Sequence, residues 1–192
     1  IWNPSDTEMT SAIKTCNDNK VYLAQFFRII SETNSADIYQ AAKDSAYYIG
    51  AVHEDEPANG EELVNILLNK GDRNIGLIGW EQGDATWLGR WEGYKAGVDK
   101  WNEAHPDDPA QLSEPQYAGT TSEGGSKAAE ALMAADPNLD ALIPAGGGGD
   151  PLQGAIAAVE RAGKTQDIDI VSTDFLPDLG DRLENGSMAG ES

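Results

Sequence analysis

The chain has 192 residues, 40% of them hydrophobic, which is enough apolar surface for a real core in one or two domains. Thirty-three acidic residues against 13 basic ones give a net charge of −20, a field that repels nucleic acid and anionic membrane surfaces and argues against both as partners. One cysteine, Cys16, excludes an internal disulfide framework and a zinc knuckle. No run of the sequence reaches the about 18 apolar residues of a membrane span, so no direct membrane insertion of this segment is expected.

Ile1-Trp2-Asn3-Pro4 reads as the end of a strand running into a helix start, so the chain is expected to be a fragment. Pro4-Ser5-Asp6 opens a helix to about Asn19, with Met9, Ala12, Ile13 and Cys16 on one face. Residues 21–26 have strand length, residues 31–45 are polar and fit a loop with one helical turn or more, and residues 47–53 read as a second strand. A helix follows over 61–69 on Leu63, Ile66 and Leu67, stopped by Lys70-Gly71. Residues 74–80 form a strand, 87–104 a long helix, 105–114 a Pro- and Asp-rich surface loop, and 116–118 a strand start. Then come a helix over 122–135, a strand over 140–144, a glycine turn over 146–149 and a helix over 150–162 closed by Gly163. A strand over 168–172, a helix over 178–185 and a strand start at 187–189 complete the chain. Strands alternating with crossover helices predict an α/β fold with mainly parallel, doubly wound sheets.

Several chemistries are absent. The run Gly146-Gly147-Gly148-Gly149-Asp150 follows a strand and opens a helix, yet it lacks the Lys-Ser/Thr of a phosphate loop and the G-x-G-x-x-G register. Asp150 would also repel a phosphate there. No G-x-S-x-G elbow and no H-E-x-x-H pair occurs, and no enzyme is expected. His53-Glu54-Asp55-Glu56 could be drawn as a metal site, but adjacent residues of an extended segment point in different directions, so it reads as a polar linker. Neither a metal nor a cofactor is predicted.

What remains is chemistry at the C-terminal ends of strands, the edge where open parallel sheets bind ligands. Gln25, Phe27 and Arg28 follow the strand from Val21; Trp80 ends the strand from Asn74. Gly149 and Asp150 follow the strand from Asp140, and Thr173-Asp174-Phe175 the strand from Ile168. Flat rings stack on the apolar faces of a sugar, while carboxylates and guanidinium groups make charge-assisted bonds to its hydroxyls. Asp150 fits a helix N-cap as well as a ligand contact, and Asp174 a turn or cap as well. Trp87 and Trp91, four apart on one helix face, fit packing against the sheet, with one of them able to reach a cleft.

The order and spacing of several stretches resemble the type I periplasmic binding proteins and the ligand-binding cores of lactose-repressor-like regulators. They are Asn3-Pro4-Ser5-Asp6 before a helix, residues 49–55 leading into Glu62-Leu63, and Gly71-Asp72-Arg73-Asn74-Ile75-Gly76-Leu77-Ile78-Gly79. Arg90-Trp91-Glu92-Gly93-Tyr94, Pro137-Asn138-Leu139-Asp140-Ala141-Leu142, Asp150-Pro151 with Gly154-Ala155 and Ala162-Gly163, and Ile168-Asp169-Ile170-Val171-Ser172-Thr173-Asp174 continue the match.

The resemblance implies a two-domain type I fold with an incomplete N-terminal domain: residues 1–54 its remnant, residues 55–192 a C-terminal domain without its final segment. It implies that Arg90 and Asp174 contact ligand and that Arg28 faces the cleft from the first domain. Sugar binders of the family carry Asn-Asp where this chain has Gly149-Asp150. The implied function is an extracytoplasmic receptor, periplasmic or lipid-anchored on the cell surface, that closes on a small polar ligand such as a carbohydrate and hands it to the membrane permease of an ABC transporter. The alternative is the effector-binding core of a lactose-repressor-like transcription regulator.

Overall fold

Apolar stripes on the crossover helices and short, nearly continuous apolar strands between them can only be buried in layers. The computed structural model describes residues 6–26, 30, 36–146, 150–173 and 178–191, and contacts divide the chain into two units, Ile1–Asp55 and Glu56–Ser192.

The first unit runs α1 (Asp6–Asp18), β1 (Leu23–Phe26), α2 (Ala36–Asp44) and β2 (Tyr48–Val52). β1 and β2 pair in parallel, with an irregularity between Leu23 and Ala24. Met9 and Ile13 of α1 and Ile38 and Ala42 of α2 bury Leu23. β1 starts two residues later than the apolar run suggests. Lys20 takes a left-handed backbone (φ 57) and the Val21 N–H donates back to the Cys16 carbonyl at 2.9 Å, so residues 21 and 22 serve the turn. The ambiguous polar stretch carries α2, whose first turn Asp37 and last turn Lys43 suit the helix dipole.

The second unit runs α3 (Glu56–Lys70), β3 (Asn74–Gly79), α4 (Ala85–Ala104), β4 (Gln111–Leu112), β5 (Gln116–Tyr117), α5 (Ser122–Ala135), β6 (Ala141–Pro144), α6 (Asp150–Arg161), β7 (Asp169–Ser172), α7 (Leu179–Asn185) and β8 (Gly190–Glu191). Every pairing is parallel, in the order β4-β3-β6-β7-β8, with β5 also on β3. α3 and α4 cover one face through Leu63, Leu67, Trp87 and Tyr94 against Ile75, Leu77, Ile143 and Val171. α5 and α6 cover the other through Ala129, Leu132, Ile156 and Val159 against Ile78, Leu142 and Ile170. This is the doubly wound, mainly parallel α/β sheet that the strand–helix alternation predicts.

The last strand falls at Gly190–Glu191 and not at 187–189, α4 starts two residues early at Ala85, and two further differences have a clear cause. α3 begins at Glu56, five residues early, because Pro57 needs no N–H partner in a first turn and Gly60 is demanded by packing rather than by a loop. The loop expected over 105–114 contains β4. There the Asn102 side chain clamps both the Ala110 N–H (2.8 Å) and the Ala110 carbonyl (3.0 Å), and so lays the chain against β3. Between β4 and β5 the missing ladder bond is supplied by Ser113, whose hydroxyl accepts from the Leu77 N–H at 3.0 Å.

Candidate functional site

Strand register brings three strand ends of the second unit into one row. Ile78 of β3 lies opposite Pro144 of β6, and Leu142 opposite Ile170 of β7, which carries Pro144 to the level of Ser172. The Ser172 hydroxyl donates to the Pro144 carbonyl at 2.9 Å and the Ala145 N–H donates to the Ile78 carbonyl at 2.7 Å, fixing that level. Trp80, Ala145 and Thr173 therefore leave the sheet side by side at its C-terminal edge.

Arg90 joins this row from α4. Asp84 caps the helix, its carboxylate accepting from the Trp87 N–H at 2.8 Å, which sets the helix phase. Gly89, Gly93 and Gly97 recur every four residues and let α3 approach α4 backbone to backbone. A Cβ on Gly93 would overlap the Pro57 carbonyl, and one on Gly60 the Arg90 carbonyl. In this cramped seam Arg90 is 3% exposed. Its Nε donates to Glu56 at 2.6 Å, one terminal nitrogen donates to the Thr173 hydroxyl at 2.5 Å, and its guanidinium lies 5.3 Å from the Trp80 ring centroid. A guanidinium taken out of water needs such charge-assisted partners. Beneath it, burial pushes the Tyr94 phenol well above its ordinary range, with Glu56 adding to the rise and Arg90 opposing it. The phenol stays neutral.

The remaining sequence candidates are placed as follows. Trp80 is half-buried. Trp87 is fully buried on the sheet, its indole close to Gly79 and 5.8 Å from the Tyr94 ring in an edge-on pair, so it is core; Trp91 is half-buried. Asp150 opens α6. In the first unit Gln25 is 1% exposed, on the same face of β1 as Leu23; the Tyr48 hydroxyl donates to its Oε1 at 3.3 Å and its Nε2 has no partner among the described residues. Phe27, Arg28, Gly149 and Asp174 lie outside the described residues; Asp174 is the next residue after Thr173. The structure brings together Arg90, Trp80 and the strand-end residue Thr173, and adds Glu56. Glu56 was read as linker. The signal pointing to it is the Gly89-x3-Gly93-x3-Gly97 stripe, which announces a helix in close contact with α4.

Solved structures support this topology. The chain is similar to an ABC transporter solute-binding protein from Agrobacterium vitis with bound D-fucose (18% identity, 93% of this chain and 56% of that one, TM-score 0.69). It is also similar to GanP, a glucose-galactose binding protein from Geobacillus stearothermophilus (16% identity, 95% and 59%, TM-score 0.68). A third is an ABC transporter periplasmic solute-binding protein from Actinobacillus succinogenes with bound D-allose (16% identity, 96% and 68%, TM-score 0.71). At these identities the likeness establishes the fold, and the chain spans less than two thirds of the length of the first two. No curated protein matches the sequence. The sequence profile described as "Periplasmic binding protein domain" matches residues 1–190, and the chain belongs to that family.

Proposed function

We propose that the chain is the greater part of an extracytoplasmic solute-binding receptor for a sugar or similarly small polar molecule, without enzymatic activity, delivering its ligand to the permease of an ABC transporter. Residues 1–54 are then what is present of the N-terminal domain and residues 55–192 most of the C-terminal one. The observation that carries this reading is the convergence of the Arg90 guanidinium, the Trp80 ring and the Thr173 hydroxyl at the C-terminal edge of a parallel sheet. A ring offers a stacking face for a pyranose, and guanidinium and hydroxyl groups orient its oxygens. By the family resemblance and by position at strand ends, Asp174, next in sequence after Thr173, and Asp150, Gly149, Gln25, Phe27 and Arg28 are further candidates for ligand contact. Two of the similar solved structures carry the name of ABC transporter solute-binding proteins, which favours transport over the effector core of a regulator.

The test is a thermal-shift screen of the protein with D-fucose, D-galactose, D-glucose, D-allose, polyols and amino acids. A ligand at 100 times its Kd stabilises the folded state by about 2.7 kcal/mol, which at about 2–4 °C per kcal/mol raises Tm by about 5–10 °C. Arg90→Ala should abolish the shift. A flat response to every sugar and polyol refutes the proposal.

A further inference from the structure

We infer that Glu56 is a positioning residue for ligand binding: it holds the Arg90 guanidinium in its place at the sheet edge, and affinity depends on it through Arg90. This rests on the receptor reading above and adds a residue that does not itself belong to the row of strand ends.

Two observations support it, and a third names the competing role that the test must separate. First, the pair is short and secluded: Nε to Oε2 is 2.6 Å, and the side chains are 4% exposed for Arg90 and 20% for Glu56. The Nε–H projects sideways from the stem in the guanidinium plane, so a carboxylate bound there sets the rotation of that plane and with it the direction of the terminal nitrogens. One of those terminal nitrogens reaches Thr173.

Second, the backbones leave the pair little freedom. Gly60 sits on the Arg90 carbonyl, Gly93 on the Pro57 carbonyl, and a Cβ on Gly89 would come within 2.9 Å of the Glu56 Cβ. Both Cα atoms are thereby held by the packed α3–α4 seam, and the carboxylate arrives at Arg90 without help from a mobile loop. Third, Glu56 opens α3 and is the residue at which the chain enters the second unit. An acid in a helix's first turn is favoured by the dipole alone. That gives a purely structural role to be separated from the positioning one.

The experiment uses the whole chain as wild type, Glu56→Gln, Glu56→Asp and Arg90→Lys. Two quantities are read: the side-chain Nε–H resonances in a 1H–15N spectrum, and calorimetric titration with D-fucose, D-galactose and D-allose. In the wild type one arginine Nε–H, absent from Arg90→Lys, should be shifted downfield and slow to exchange, as a charge-assisted bond demands. Glu56→Gln, equal in length but uncharged, should move that resonance upfield and weaken sugar binding about ten-fold or more. Glu56→Asp keeps the charge and should recover part of both. If Glu56 serves only the start of α3, Glu56→Gln lowers Tm and leaves resonance and affinity unchanged, which overturns the inference. Should Glu56→Gln prove too unstable to titrate, Glu56→Met, of similar length and without charge or acceptor, decides: wild-type affinity in that variant also overturns it. If no sugar binds the wild type, the receptor reading fails and takes the binding role of Glu56 with it. Sugar binding that is indifferent to Glu56→Gln removes this inference alone.

Discussion

At the opposite edge of the second unit's sheet, three carboxylates meet where β3, β6 and β7 begin, and they make stability depend on pH in an unusual direction. Asp140 is well served: it accepts from the Arg73 N–H at 2.9 Å and the Asn74 N–H at 2.7 Å. Asp169 pairs with Lys70 at 3.1 Å. Asp72 is the loser. Burial first, then the charges of Asp169 and Asp140 and a proton shared with Asp169, push its pKa from an ordinary 3.8 up to about 7, against a smaller opposing pull from Lys70. A carboxyl whose folded pKa lies above its unfolded one binds more protons in the folded state between those values, so stability falls as pH rises from about 4 to about 7 and then levels off. The gap of 3.8 to about 7 sets a ceiling of about 4 kcal/mol, at about 1.4 kcal/mol per pH decade. Asp72 is half-exposed and solvent screens it, so about 1–2 kcal/mol is the working figure. Asp72→Asn keeps a donor for Asp169 and removes the charge. It should raise Tm by about 2–8 °C at pH 8 and by little at pH 4.5. Differential scanning calorimetry of both proteins across that range measures the difference, in which the titration of groups that do not interact with Asp72 cancels. A difference that is constant with pH refutes the reasoning. So does one that grows on acidification, which would mean that Lys70 holds Asp72 ionised.

Gly93→Ala tests the α3–α4 seam: the new Cβ would overlap the Pro57 carbonyl and lie 2.8 Å from the Glu61 nitrogen, backbone atoms that no rotamer change can move. Overpacking of this kind costs about 3 kcal/mol, read from urea unfolding, and a change under about 0.5 kcal/mol would show that the helices separate freely. Ser113→Ala removes the acceptor of the Leu77 N–H in the gap between β4 and β5. It should cost about 1–3 kcal/mol and speed hydrogen exchange at Leu77, whereas Ser113→Thr should do neither.

The α/β alternation was legible because strand and helix announce themselves over local windows: the consecutive apolar residues of 74–79 and the capped, evenly spaced helix over 122–135 fall where the sequence places them. What escaped were features decided elsewhere in the chain. β4 has two residues and no period of its own; it is a strand because Asn102 clamps Ala110 and because β3 offers an edge. The start of α3 carries Asn59 and Gly60, residues that locally favour a loop, and Gly60 is there because the Arg90 carbonyl occupies the space of a side chain. The family likeness supplied the type I architecture that local pattern cannot.

The same division runs through the candidate site. Trp80 and Thr173 can be named from their positions at strand ends and Arg90 from its family motif, whereas Glu56 lies 34 residues from Arg90, a distance across which no periodicity reaches. The glycines Gly89, Gly93 and Gly97 close that gap in principle. Glycine is a poor helix former, destabilising by about 1 kcal/mol per position relative to alanine, so three of them in phase on one helix face imply a return from close packing. That packing is the seam in which α3 presents Glu56 to Arg90. In this protein the residues with no side chain at all are what decide where the buried charge can sit.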